Sequence, residues 1–425
     1  MKVLVLTQNY VPDLAASSFR MKALVDEMTD RGHQVTVLAG VPNRYASMSF
    51  TKDDLKIDGQ ERMIWISRPK QKGRIIRRSI GDAWFLLKSA VTAHPVAREA
   101  DVLVATTPHL WVGFLGAVLS WFSGTPLVLD VRDLWPDVIT EMGILPEKSL
   151  LFKVLKGIEK FMYRSAKRIV VNSPAFSDYI KKSAGQRPAC ITNGIDDDFF
   201  QQLTALPRCA EGKRVYRVTY AGNLGMAQDL GFFLDVAKSF EGRLDFQLIG
   251  DGSDKAHFER LLEEKGITNV FLVPPVQRKD LLAYYARTDA FFVQLKPIPM
   301  FEKTIPSKIF EYVATGKPVV YGLKGIAGEI MQKLQGKRWR FEPGDPESLA
   351  PVFGQLFDCL ESGTDWNGAK GQALLKDEFL RSVLCSHFAE VIERVVLHVA
   401  KDSGGQVGRP VLQDNRTLSP DPKRA

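Results

Sequence analysis

Short apolar runs alternate with helically spaced apolar positions along most of the chain. Val3 to Leu6 form the first run. A loop from Thr7 to Ser18 follows, and then Met21, Leu24, Val25 and Met28 mark a helix from about Ser18 to Arg31. Gly32 stops it, and QVTVLAG, Gln34 to Gly40, is the next strand. This strand–helix–strand opening predicts a parallel sheet, with its first loop at the carboxyl edge where ligands bind in such folds. The pattern continues through strands at Arg62 to Ser67, Asp101 to Thr106, Pro126 to Val131, Arg168 to Asn172 and Ala189 to Thr192. Helices are expected at Leu110 to Phe122, Leu150 to Ser165 and Pro174 to Ser183.

Turn signals and polar residues then interrupt the alternation from Asn193 to about Gly212, and a second run of the same kind begins. Its strands are expected at Arg214 to Ala221, Leu244 to Ile249, Asn269 to Val273 and Ala290 to Leu295. A strand through Val319, Val320 and Tyr321 closes the run. A glycine loop, Gly222, Asn223 and Gly225, leads into a helix from Asp229 to Phe240. Helices from Pro346 to Leu360 and Lys370 to Ala400 finish the regular structure. The expected class is α/β, with two Rossmann-like domains facing across a cleft. The divisions are residues 1–193, a linker at 194–212, a second domain at 213–368, a closing helix at 369–400 packing back toward the first domain, and a disordered tail at 401–425.

The stretch most suggestive of chemistry is TIPSKIFEYVATGKPVVYG, Thr304 to Gly322. Pro306 breaks the approach, Ser307 is an N-cap candidate, and Gly316 ends the helix. Backbone N–H groups at a helix start attract phosphates, and Lys308 adds a charge there. Glu311 lies one turn deeper on the same face. The set suits a nucleotide, with diphosphate at the tip and ribose on the carboxylate. The other reading is a surface Lys–Glu pair. Arg132 and Asp133, just past the strand ending at Val131, form a second candidate at a sheet edge. The alternative there is a salt bridge capping the next helix. Asp196, Asp197 and Asp198 read as a solvated turn or N-cap rather than a D-x-D metal site, because no other ligand lies near.

Composition narrows the classes. Hydrophobic residues make up 45% and charged residues 25%, ordinary globular values, and the net charge of +8 allows an anionic partner. The four cysteines, Cys190, Cys209, Cys359 and Cys385, have no metal spacing and read as reduced thiols. Nothing resembles a signal peptide. The longest apolar run, Leu110 to Phe122, is broken by Gly113, Gly116 and Ser120. It falls short of the about 20 residues a membrane span requires, so a buried helix is expected. There is no G-x-G-x-x-G after the first strand, no Walker loop, no nucleophile elbow and no zinc spacing. Residues 68–88 combine Arg68, Lys70, Lys72, Arg74, Arg77 and Arg78 with Trp84, Phe85, Leu86 and Leu87, which suits an anionic membrane surface. A solvated loop leading to a core helix is the alternative. Nucleic acid is not expected, because no known module surrounds the patch.

Taken in order, YVPDLAASSFR with RGHQVTVLAG, VRDLWPD, VVNSPAFSDYI, ITNGID, YAGNLG, LIGDG and PSKIFEYVATGKPVV resemble a GT-B glycosyltransferase of the retaining family 4. The resemblance spans Met1 to about Ala400. It extends to the group of bacterial O-antigen and capsule enzymes that includes N-acetyl-L-fucosamine transferases. It implies a UDP-linked, N-acetylated sugar passed with retention to a lipid-linked (polyprenyl diphosphate) sugar acceptor. No cofactor or metal is implied. The enzyme would work in the cytoplasm, peripheral on the inner membrane face. Donor contacts implied are Ala16, Ser17, Arg20, Gly222, Asn223, Gly225, Val276, Gln277, Lys303, Ser307, Lys308 and Glu311. Arg132, Asp133 and Lys308 are the implied catalytic set. The chain departs from the family in two places. The first glutamate of the E-x7-E motif falls at Lys303, with Glu302 one residue off. The arginine and lysine of the glycine loop are replaced by Asn223 and Gln228. Lys308, Lys303 and the helix dipole, with Arg132 or Arg20 from across the cleft, are the expected substitutes at the diphosphate. Competing readings are a UDP-N-acetylglucosamine 2-epimerase and a non-catalytic sugar-nucleotide-binding module of the same architecture.

Overall fold

The computed structural model describes residues 1–13, 15–42, 55, 59–67, 75–107, 110–141, 143–207, 215–363, 366 and 368–402. Two parallel sheets organise it. The first has seven strands: β1 (Lys2–Thr7), β2 (Gln34–Gly40), β3 (Arg62–Ile66), β4 (Val102–Thr106), β5 (Leu127–Val131), β6 (Arg168–Val171) and β7 (Ala189–Cys190), in the order β3-β2-β1-β4-β5-β6-β7. The second has five: β8 (Tyr216–Ala221), β9 (Leu244–Ile249), β10 (Val270–Val273), β11 (Ala290–Gln294) and β12 (Val319–Gly322), in the order β10-β9-β8-β11-β12. In each sheet the strand order reverses beside the first strand of the run, which opens a crevice at the carboxyl edge.

Strand periodicity of two explains the layering. Leu4 and Leu6, with Leu103, Leu127, Leu129 and Ile169, point to a layer formed by the helices Ile75–Glu99, Leu110–Ser123 and Leu150–Ser165. Val3 and Val5, with Val35, Val37, Val104 and Val170, point to the other face. There they meet the helix Ala16–Asp30 and the final helix Arg381–Asp402, through Phe388, Ala389 and Ile392. Strands buried on both faces read as unbroken apolar runs, as parallel sheets do. The Leu110–Ser123 helix is one of these packed helices. A methyl group on Gly116 would lie 2.7 Å from the Ala105 Cβ, so glycine sets how closely the helix approaches β4.

Some expectations need correction. β7 has two residues, not the four expected from Ala189 to Thr192. The segment after the glycine loop is a 3-10 turn, Leu230–Phe233, followed by a short helix, Leu234–Ser239. Asp229 enters it at φ 45°. The expected linker contains a helix, Asp197–Thr204. Asp196 stands at its N-cap position but makes no side-chain cap bond. Its carboxylate forms ion pairs with Arg278 and Arg381, and Asp197 accepts from the Ser382 amide at 3.1 Å and hydroxyl at 2.6 Å. Asp196 and Asp197 therefore tie the crossover to the last helix instead of lying in a solvated turn, while Asp198 is exposed in the first turn of its helix. That last helix returns to the first sheet, where Glu393 accepts from Arg31 at 3.1 Å and meets His33 at 2.9 Å. Residues 401 and 402, expected in the disordered tail 401–425, end the last helix; the basic stretch at 68–74, the rest of that tail and Cys209 lie outside the described residues. Cys190 and Cys385 are free thiols.

Candidate active site

The carboxyl edges of the two sheets face each other across a cavity of about 550 Å³. That size is within the usual range for ligand sites. The first half contributes Ala16, Ser17 and Phe19 from the start of the Ala16–Asp30 helix, Arg132 and Asp133 after β5, Asn172 after β6 and Asn193 after β7. The second half contributes Gly222 and Asn223 after β8, Val276 and Arg278 after β10, and Ser307, Lys308 and Glu311 at the helix Lys308–Ala314.

The second-half wall is pinned by its own backbone. Gly222 has φ 148° and Gly250 has φ 149°. A side chain on Gly250 would overlap the Gly222 carbonyl, and one on Gly222 would meet the Lys308 ammonium. Glycine at both positions lets the ends of β8 and β9 lie against each other and against Lys308. Tyr312 holds the helix to the loop: its phenol accepts from the Ala221 amide at 2.7 Å and donates to the Ala221 carbonyl at 3.1 Å. Buried Gln294 donates to the Gln228 and Asp229 carbonyls at 3.1 and 2.9 Å, which fixes the far end of the loop. Asn223 and Gln228, the neutral replacements, bond to each other at 3.1 Å.

Lys308 enters this wall from the first turn of its helix. Its ammonium hydrogen-bonds to the Tyr220 hydroxyl and lies 3.8 Å from that ring's centroid. Burial lowers its pKa to about 7, with Glu311 opposing the fall. Burial raises the Glu311 carboxyl, and Arg278 is the strongest charge acting against the rise. Ser307 has helical backbone angles and makes no side-chain cap bond, so it does not act as the N-cap its sequence position suggested.

The first-half wall is less satisfied. Burial lowers the Arg132 guanidinium to about 10, although Asp130 and Asp133 favour its charge. Burial also raises Asp133, with Arg132 opposing. Arg132 Nη1, Asn172 Oδ1 and Asn193 Oδ1 are buried without a hydrogen-bond partner within the protein, as are Arg278 Nε and Nη2 across the cavity. All four residues line the cavity, so a polar ligand there could draw these unmatched atoms into hydrogen bonds by small side-chain shifts.

Among the expected site residues, Ala16, Ser17, Arg132, Asp133, Gly222, Asn223, Val276, Ser307, Lys308 and Glu311 line this cavity. Arg20 does not. It is spent on a buried ion pair with Asp130 at 3.0 Å and on the Thr192 carbonyl at 2.6 Å. It therefore cannot reach across the cleft. Gly225 is buried behind the wall, with its amide on Gln228 at 3.2 Å. Gln277 is exposed at the start of the Arg278–Ala286 helix, and the next residue faces inward instead. Lys303 ends the short helix Pro299–Glu302 outside the wall, and Glu302 beside it is exposed.

Two further residues, Arg278 and Arg381, line the cavity without any sequence signal. Arg278 lies over the Phe19 ring at 4.5 Å and the Phe199 ring at 4.0 Å. Arg381 donates to the Asn193 and Gly194 carbonyls at 3.2 and 3.3 Å. Both belong to the Asp196 hub, so they join the linker, the second half and the final crossover at the cavity. Nothing local marks them. Asn172 and Asn193 are legible as polar residues at strand ends within VVNSP and ITNGID, but no local pattern assigns either a role.

Family comparisons agree with this geometry. The family described as Glycosyltransferase Family 4 matches residues 19–199, and the family described as Glycosyl transferases group 1 matches residues 215–358. The protein is a glycosyltransferase with a GT-B fold, and its two sheets are the two domains of that fold. A probable glycosyltransferase of Pseudomonas aeruginosa, WbjE, is 24% identical over 76% of this chain and 81% of its own length. A putative colanic acid biosynthesis glycosyl transferase of Escherichia coli strain K12, WcaI, is 22% identical over 90% and 99%. The crystal structure of Anabaena HepE in complex with UDP and glucose superimposes with a TM-score of 0.67 at 18% identity, covering 93% of this chain and all of that one.

Proposed function

We propose that this glycosyltransferase moves a sugar, N-acetylated, from UDP to a lipid-linked sugar acceptor in the assembly of a bacterial surface polysaccharide, with retention of configuration. The observation that carries the reading is the placement of Lys308 and Glu311 opposite Arg132 and Asp133 in one cavity between the sheet edges. The putative role of the E. coli relative in colanic acid biosynthesis and the UDP and glucose bound in the HepE structure support the polysaccharide and the donor.

In this reading the diphosphate lies against Gly222, Ser307 and Lys308, the ribose reaches Glu311, and the base reaches the Val276 segment. The departing UDP gains negative charge as the glycosidic bond breaks. Lys308 and Arg132 are in place to stabilise it, which answers for the missing cations of the glycine loop. The leaving phosphate takes the acceptor proton on the same face, so no enzymic nucleophile is required. Asp133 orients the acceptor hydroxyl, and no metal takes part. The enzyme works at the inner face of the cytoplasmic membrane, with residues 68–88 toward anionic lipid. Trp84 and Leu87 of that stretch are exposed.

The test is a thermal-shift series with UDP, GDP, dTDP and ADP, with and without magnesium, followed by transfer from UDP-sugars to a lipid-linked acceptor. A magnesium-independent shift with UDP and sugar transfer are expected. A shift with a different nucleotide alone replaces the donor. UDP-sugar turnover that needs no acceptor overturns the transfer reading.

A further inference from the structure

Besides the Asp196 hub, the two domains meet at the short helix Pro299–Glu302 of the second domain. Met300 on this helix is 2% exposed and belongs to the apolar cluster of the first domain, whose other buried members all lie between residues 4 and 180. The next residue, Phe301, is buried in a cluster of the second domain together with Phe310 and Tyr321. Successive side chains of one short helix therefore enter the cores of both domains.

The start of this helix has no cap of its own. Ile298 carries no side-chain acceptor and Pro299 has no N–H, so the first orphan donor is the Met300 amide. It donates to the Glu141 carboxylate of the first domain at 2.7 Å. Free N–H groups at a helix start favour a carboxylate. Glu141 ends the helix Asp137–Glu141, and Val138, three residues earlier on the same face, packs against the clusters of both domains. Each partner is backed by its own domain. Lys156 donates to Asp137 at 2.8 Å and so ties the other end of the Asp137–Glu141 helix to the first domain. Gly325, at φ 57°, stands behind Glu302, and a methyl group there would overlap the Glu302 carbonyl. Both elements run straight into the cavity walls. Asp133 lies four residues before Asp137, and Thr304 and Ile305 line the cavity on the way from Met300 to Lys308.

We propose that Glu141 and Met300 form a clasp that sets the spacing between the Arg132–Asp133 turn and the Lys308 helix, which makes Glu141 a positioning residue for sugar transfer. Glu141 does not line the cavity, and it acts through the helix that continues the Arg132–Asp133 turn. The proposal rests on the transfer reading above, in which the donor lies on one wall and the acceptor hydroxyl on the other. A misplacement of about 1 Å between reacting groups is enough to cost about 100-fold in rate. UDP by itself lies mainly against the second wall, so its affinity depends little on the clasp.

Three variants of the intact protein test this: Glu141→Ala, Glu141→Gln and Glu141→Lys. Glu141 is exposed, so all three should fold. Small-angle scattering with UDP bound should give a larger radius of gyration for Glu141→Lys than for the wild type and Glu141→Gln, because an ammonium beside the Met300 amide repels it. Single-turnover transfer is measured with the UDP-N-acetylhexosamine and polyprenyl diphosphate sugar that the wild type turns over. Its rate should fall about tenfold in Glu141→Ala and further in Glu141→Lys, while the Kd for UDP by calorimetry stays within about threefold. Glu141→Gln keeps an acceptor oxygen for the amide and should recover most of the rate. If Glu141→Lys misfolds, the alanine and glutamine variants carry the comparison. The proposal is overturned if Glu141→Ala and Glu141→Lys transfer like the wild type, or if Glu141→Gln is as slow as Glu141→Ala. It is also overturned if UDP affinity falls in step with the rate. A wild type that transfers no sugar defeats the proposed function instead. The clasp is then decided by scattering with UDP, and an unchanged radius in Glu141→Lys overturns it.

Discussion

The two walls of the cavity are built differently. On the second-half wall the glycine loop is tied inside the protein: Tyr312 bridges Ala221, Gln294 clamps Gln228 and Asp229, and Asn223 pairs with Gln228, while the buried atoms there that lack a partner belong to Arg278 and Tyr285, off the loop. On the first-half wall Arg132, Asn172 and Asn193 keep buried atoms with no partner. A loop whose geometry is fixed before binding suits a constant ligand, because little reorganisation accompanies its arrival. A wall with unmatched donors and acceptors suits a ligand that supplies the matching groups. The contrast is what a common nucleotide on one side and a particular sugar hydroxyl on the other would require.

The comparison breaks most visibly at Lys308. Lys308→Ala is expected to lower kcat about 100-fold or more while the fold stays intact, since it removes a preorganised cation from the leaving group. Near-normal kcat in a steady-state transfer assay would mean that the wall does not hold the diphosphate.

Asp133→Asn should separate the walls. It is expected to reduce kcat about 10- to 100-fold while the Kd for UDP, measured by calorimetry, stays within about twofold. An equal loss of UDP affinity would place Asp133 on the donor side.

Proton linkage sharpens the comparison further. Burial pushes the Lys308 ammonium down to about 7. A bound diphosphate favours the charged form, so UDP affinity should be flat below about pH 7 and fall by up to about tenfold per unit above it. Proton uptake on binding at pH 8, read by calorimetry in buffers of different ionisation heat, should accompany this. Lys308→Arg should remove the pH dependence. The sign for stability is opposite. The folded pKa lies below the unfolded value, so the unfolded chain holds more protons between about pH 7 and 10.5, and stability of the enzyme without nucleotide rises with pH across that window. A Kd that does not vary from pH 6 to 9 would contradict the linkage.

The smallest effect is expected at Tyr312. Tyr312→Phe leaves the Ala221 amide and carbonyl without their phenol and should reduce stability by about 1–3 kcal/mol in a urea titration. It should raise the KM for donor, because the glycine loop loses its tie to the Lys308 helix. Unchanged stability would show that Gln294 and Gly250 hold the loop without it.

The sequence alone determined the architecture. Parallel strands buried on both faces must be apolar throughout, and helices between them must repeat at 3.6 residues, so the order of elements is written locally. It also brought Lys308, Glu311, Gly222, Arg132 and Asp133 to strand ends, because a strand's carboxyl end is a position along the chain. Tertiary structure decided which charges remain free. Arg20 and Arg132 look alike in sequence, yet Asp130 claims Arg20, while Arg132 keeps an unpartnered nitrogen at the cavity. Asp196 looked like a turn residue and became the hub that presents Arg278 and Arg381 to the cavity. Pairing energies depend on distance and burial between residues far apart in the chain, and no local pattern encodes either.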